Sequence, residues 1–208
     1  MRQIWLTLAA FFCVASLLGA PAASFGQAPG PTVTPQDHVL GKKDAPITII
    51  EYASLTCPHC AEFDRDTLPK IKENWIDTGK AKLVFRDFPL DRLALKAAML
   101  ARCAPPDRYF AFIDTLFQTQ RTWELASNPE QELERIAKLG GISDEQFKKC
   151  MADEKLADAV TASRYTAEKD YGVDSTPTFF INGVKMNPNG AQPYDVFNKV
   201  LTAALPKS

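Results

Sequence analysis

Cys57-Pro58-His59-Cys60 holds the residues of this chain best suited to chemistry. Two cysteines three positions apart can open and close one disulfide and so exchange electrons with other thiols, and the thiolate is the reacting form. A zinc site needs four ligands, usually with a second close pair, and the chain has no second C-x-x-C and no H-x-x-x-H. Its histidines are His38 and His59 alone, and His38 reads as a surface or structural residue rather than a ligand. A c-type haem site needs His directly after the second cysteine, where Ala61 stands. Two unrelated buried cysteines are the plain alternative, and the surrounding pattern argues against it.

That pattern is strand, turn, helix. Ile47-Thr48-Ile49-Ile50-Glu51-Tyr52 is rich in β-branched residues and reads as a strand. After Ala53-Ser54-Leu55, the spacing of Ala61, Phe63, Leu68 and Ile71 predicts a helix, kinked or broken near Pro69. The cysteines then fall on its first turn, where unpaired backbone N–H groups and the positive dipole end favour an anion such as a thiolate. Pro58 suits a first helical position, which does not need its missing N–H.

The N-terminus points to export. Arg2 precedes an uncharged run from Ile4 to Leu18, followed by small residues and prolines, the layout of a secretory signal. About fifteen apolar residues fall short of the roughly twenty a spanning helix needs. Ala20-Pro21-Ala22 offers one cleavage site and Gly26-Gln27-Ala28 another, so residues 1–22 are assigned to the signal, extending to 28 at most. Phe11 and Phe12 stand before Cys13 where a lipid-anchored form would need small residues. Removal of the signal leaves Cys57, Cys60, Cys103 and Cys150. An even count in an oxidising compartment invites pairing. Three connectivities are possible, and the short spacing selects Cys57 with Cys60, hence Cys103 with Cys150, with two buried free thiols as the alternative. Closing that loop of about 48 residues stabilises by up to about 4 kcal/mol in the chain-entropy view.

The chain of 208 residues carries 24 basic and 25 acidic side chains, so no basic excess suggests nucleic acid, and no phosphate-cradling glycine motif is present. Residues 23–37 read as a flexible lead-in, with His38-Val39-Leu40-Gly41 starting the fold. Lys82 to Phe88 forms a second strand, completing a right-handed βαβ unit with a parallel strand pair. From Leu93 to about Ala167 the pattern is helical, with Ser143 and Gln146 spaced for a capping box and the aromatic stripes assigned to core. Thr178 to Ile181 is a strand, Asn182-Gly183 a hairpin turn, and Gln192-Pro193 opens a last helix. The fold class is α/β. The core spans 38–90 and 168–208, and the helical insertion 91–167.

Three stretches together carry a resemblance: Glu51-Tyr52-Ala53-Ser54-Leu55-Thr56-Cys57-Pro58-His59-Cys60, Phe85-Arg86-Asp87-Phe88-Pro89-Leu90, and Ser175-Thr176-Pro177-Thr178-Phe179. Over residues 38–205 the sequence resembles the DsbA type of thioredoxin-fold protein, the exported thiol–disulfide oxidoreductases. The resemblance implies a thioredoxin-like fold with an inserted helical domain, a periplasmic location, no cofactor and no metal. It makes Cys57 the exposed nucleophile, Cys60 its partner, His59 a stabiliser of the Cys57 thiolate and Glu51 a buried acid assisting proton movement. Pro58 lies between the cysteines, Pro177 matches the family's cis proline, and Thr176 offers backbone to an extended substrate. Familiar enteric oxidases have Val at the Thr176 position, where disulfide isomerases also carry Thr, which leaves oxidase or isomerase/reductase direction open. The implied partners are unfolded or reduced exported proteins and a membrane-embedded, DsbB-type quinone-linked reoxidase. With no room for the dimerisation domain of isomerases, a monomeric oxidase is expected; a metal-binding or holdase protein is the more distant rival.

Overall fold

A computed structural model describes residues 30–206; the signal segment lies outside them. Five strands form one mixed sheet in the order β1-β3-β2-β4-β5. These are β1 (Val39–Leu40), β2 (Ile47–Ala53), β3 (Ala81–Asp87), β4 (Thr178–Ile181) and β5 (Val184–Lys185). β2 runs parallel to β3, register Ile47 opposite Ala81 through Ala53 opposite Asp87, as a βαβ crossover requires. β1 lies antiparallel on the far side of β3, and the β4–β5 hairpin extends the sheet beyond β2. Asn182 and Gly183 turn that hairpin at φ of 50° and 80°, the left-handed pair that a two-residue turn demands.

The crossover helix is less regular than its apolar spacing suggests. α1 (Pro58–Glu62) passes into a π-helical turn over Phe63–Thr67, then α2 (Leu68–Ile71) and a second π turn over Lys72–Ile76. The first π turn ends two residues before Pro69, which has no N–H to give and whose ring crowds the turn before it. The expected break near Pro69 is thus a change of helical pitch rather than an end.

The helical block comprises α3 (Arg92–Cys103), α4 (Tyr109–Gln118), α5 (Gln120–Glu124), α6 (Pro129–Leu139), α7 (Asp144–Met151) and α8 (Glu154–Tyr171). Ser143 and Gln146 complete the capping box at α7. α8 continues to Gly172, which takes φ of 62°, so the sequence boundary at 167/168 falls within a helix. Nothing in the local pattern marked that boundary as a helix interior, because α8 buries only Val160 and Ala167 fully. α9 (Tyr194–Ala204) closes the chain. Cys103 at the end of α3 and Cys150 in α7 are joined by a disulfide, their Cα atoms 6.2 Å apart.

Strand alternation divides the core. Ile47, Ile49, Leu83 and Phe179 pack with Phe63, Ile71, Trp75 and Phe197 on one face. Ile50, Tyr52, Val84 and Phe180 pack with Ala167 and Val173 on the other. A third cluster joins Leu55, Cys57, Cys60 and Ala61 to α3, α4 and the helices that follow, so the cysteine pair sits where sheet and helical block meet. Residues 30–37, the described part of the expected lead-in, lie against the sheet. Arg86 reaches them from β3, donating to the Asp37 carboxylate at 2.7 and 3.0 Å, to the Thr32 carbonyl and to Tyr52 Oη.

Candidate active site

Cys57 caps the N-terminus of α1 in an extended conformation, and Pro58 takes the first helical position. The turn that delivers it is held from three sides. Cys57 N–H donates to the Ser54 carbonyl at 3.0 Å. Thr56 Oγ1 donates to Asp91 at 2.6 Å, and Asp91 also caps α3 by accepting from Ala94 N–H. Buried Gln120, from α5, donates its side-chain amide to the Leu55 carbonyl at 2.8 Å and the Cys57 carbonyl at 3.0 Å. Gln120 escaped sequence reasoning: a lone glutamine among helical residues carries no signal until the fold brings it against the turn.

Cys57 and Cys60 are free thiols, so this is the reduced form of the pair. Cys57 is only 5% exposed and Cys60 is fully buried. The nucleophile is therefore more covered than the resemblance implied, because the Thr176–Pro177 loop lies over it. The Thr176 carbonyl is 3.4 Å from Cys57 Sγ, and the Thr176–Pro177 peptide is cis. A second cis bond, Asn187–Pro188, was not foreseen.

The two thiols titrate in opposite directions. A hydrogen bond from Cys60 is the largest influence on Cys57; with others from Thr176 and from the backbone N–H groups of Cys60 and His59, it outweighs burial and lowers the Cys57 thiol to about 5. Burial, then the neighbouring Cys57 sulfur and Glu51, push the Cys60 thiol well above its ordinary value. What His59 turns toward the sulfur is its backbone N–H. Its ring is 74% exposed and meets Glu62, Nδ1 to Oε2 at 3.2 Å. His59 thus acts on the thiolate through its main chain, since the helix start aims amides at the cap.

Glu51 lies on β2 between Phe85 and Phe179 of the flanking strands. It is 2% exposed, and burial, followed by the nearby Asp64 and Cys57, raises its pKa well above the carboxylate range.

The family model described as Thioredoxin matches residues 33–203. A Rickettsia bellii relative named as a protein-disulfide oxidoreductase is 37% identical over 150 residues, 72% of this chain and 58% of its own length. The chain thus spans little more than half the length of the Rickettsia relatives it matches. Disulfide bond formation protein D of Bacillus subtilis is 31% identical over 154 residues, 69% of this chain and 67% of its own. The crystal structure of Wolbachia pipientis alpha-DsbA1 superposes with a TM-score of 0.77 at 38% identity, covering 83% of this chain and 92% of that one. Strand–turn–helix geometry around a C-x-x-C pair and a facing cis proline define a thioredoxin-fold protein. The chain belongs to the thioredoxin family, among its DsbA-like members.

Proposed function

We propose that this protein is a thiol–disulfide oxidoreductase that introduces disulfides into reduced, exported proteins in the periplasm. The observation that carries the reading is the Cys57 thiol held near 5 beside a buried Cys60 held neutral. A stable Cys57 thiolate lowers the energy of the reduced pair and so makes the oxidised pair an oxidant. In the oxidised enzyme a client thiolate attacks Cys57 Sγ, the Cys57–Cys60 bond breaks, and Cys60 leaves and takes up a proton. A second client thiolate then attacks the client sulfur of the mixed disulfide. The client departs with its disulfide and the Cys57 thiolate is released; two electrons have passed from client to enzyme. Glu51, buried beside the pair, supplies the Cys60 proton, and Thr176 offers backbone to an extended client strand. A DsbB-type, quinone-linked membrane protein reoxidises the pair. Location and partner rest on the family likeness and the signal-like N-terminus; no helix of the described residues is long and apolar enough to cross a membrane.

Equilibration of the Cys57–Cys60 pair with glutathione, read by alkylation and mass spectrometry with the second disulfide intact, tests the direction. The pair should stay reduced in a strongly oxidising glutathione buffer. A pair that remains bridged in a strongly reducing buffer would reassign the protein as a reductase.

A further inference from the structure

A second buried acid lies near the one given to Cys60. Asp64 lies four residues beyond Cys60 on the same helix, a spacing that puts both side chains on one face. Asp64 falls in the first π turn and is buried to 5% exposure, beside buried Phe63 and Thr67. Among the described residues, Glu51 Oε1 and Asp64 Oδ1 are buried oxygens with no hydrogen-bond partner. Both carboxyls line one cavity of about 320 Å3, which Asp114 on the exposed side of α4 also lines. Such a volume holds several waters at ~30 Å3 each, and two unpaired carboxyl oxygens give them partners. Buried carboxyl oxygens without hydrogen-bond partners cost stability, so their shared placement beside a thiol that must gain and lose a proton calls for a use.

We propose that Asp64 is a second proton carrier for Cys60, passing protons between Glu51 and the solvent that enters the cavity at Asp114. The groups facing Asp64 are Glu51 from β2, Asp114 and Gln118 from α4, and Arg65 on its own turn, with Lys72 at the cavity wall. Burial, then Asp114, raise Asp64 to about 7, where it can give and take protons at neutral pH. During reoxidation the Asp64 carboxylate takes the Glu51 proton. Glu51 then takes the Cys60 proton, and the Cys60 thiolate attacks Cys57 Sγ. The Cys57–Cys60 bond forms, the mixed-disulfide partner leaves as a thiolate, and Asp64 releases its proton to solvent. Client oxidation runs the same transfers in reverse.

The proposal rests on the roles given to Cys57 and Cys60, and its test reads the two separately. Enzyme carrying glutathione on Cys57 is prepared, and glutathione release is followed from pH 5 to 9. Cys60→Ala should abolish release; release that persists overturns the cysteine roles themselves. With those roles in place, wild-type release should rise through an inflection near 7. Asp64→Asn should lose that inflection and release glutathione roughly tenfold more slowly at pH 8, within the range for one proton-transfer group. Asp64→Glu should keep the inflection, and imidazole buffer should restore part of the Asp64→Asn rate. An unaltered profile in Asp64→Asn, or equal loss in the Asn and Glu variants without buffer rescue, overturns the relay.

Discussion

Cys57 and Cys60 stand on one turn of helix, yet one favours its thiolate and the other its thiol. Cys57 is lowered in the folded, reduced state from an ordinary value of 9 to about 5. Its contribution to stability is therefore fully present above the unfolded value and lost as pH falls through the folded one. At pH 7 about two units of that shift are realised, or about 3 kcal/mol. The carboxyls of Glu51 and Asp64, raised by burial, oppose folding at neutral pH, and Cys57 adds to the rise at Glu51. Reduced protein should melt above oxidised protein at pH 7, with the gap closing between pH 7 and about 4; scanning calorimetry on the two forms measures it. A gap that holds constant through pH 5 would mean Cys57 is not the depressed group.

Among the elements, the turn Ser54 to Cys57 is fixed by a strand on one side and by α3 and α5 on the other. Replacing Gln120 with Leu keeps the volume and strips the Leu55 carbonyl of its donor, while the Cys57 carbonyl retains Ala61 N–H. The expected loss is about 1–3 kcal/mol in urea unfolding, the cost of leaving a buried acceptor unmet. β2, β3, the hairpin and the capping box were legible in the sequence, because each rests on local chemistry: β-branched runs, Asn182-Gly183, and Ser143 with Gln146. The pair Cys57 and Cys60 was legible for the same reason. Gln120 and Asp64 were not, since their meaning comes from what packs against them. Asp64 did leave a trace, an acid four residues from Cys60 on a buried face, and the π turn that seats it has no simple sequence mark beyond Pro69. The outward turn of the His59 ring was not legible, because spacing locates a side chain along a helix but not the rotamer it takes.

For the molecule as a whole, the Cys103–Cys150 bridge ties α3 to α7 across 47 residues of sequence. It lies within the helical block, in the same buried cluster as Cys57 and Cys60. Cys103→Ala with Cys150→Ala should lower global stability by about 2–4 kcal/mol in guanidinium unfolding. The Cys57–Cys60 equilibrium with glutathione should not move. A shifted equilibrium in the double variant would show that the bridge tunes the site as well as bracing the fold.

The site also depends on where β2 sits. From Ile49 to Tyr52 this strand is bonded to β3 on one flank and β4 on the other. Amide hydrogens locked in such a ladder exchange with deuterium only when the whole domain opens. The bond that cycles in every turnover is therefore hung from the segment that moves least: in an exchange experiment, the peptide carrying 49–52 should report global unfolding, however often Cys57 changes partner.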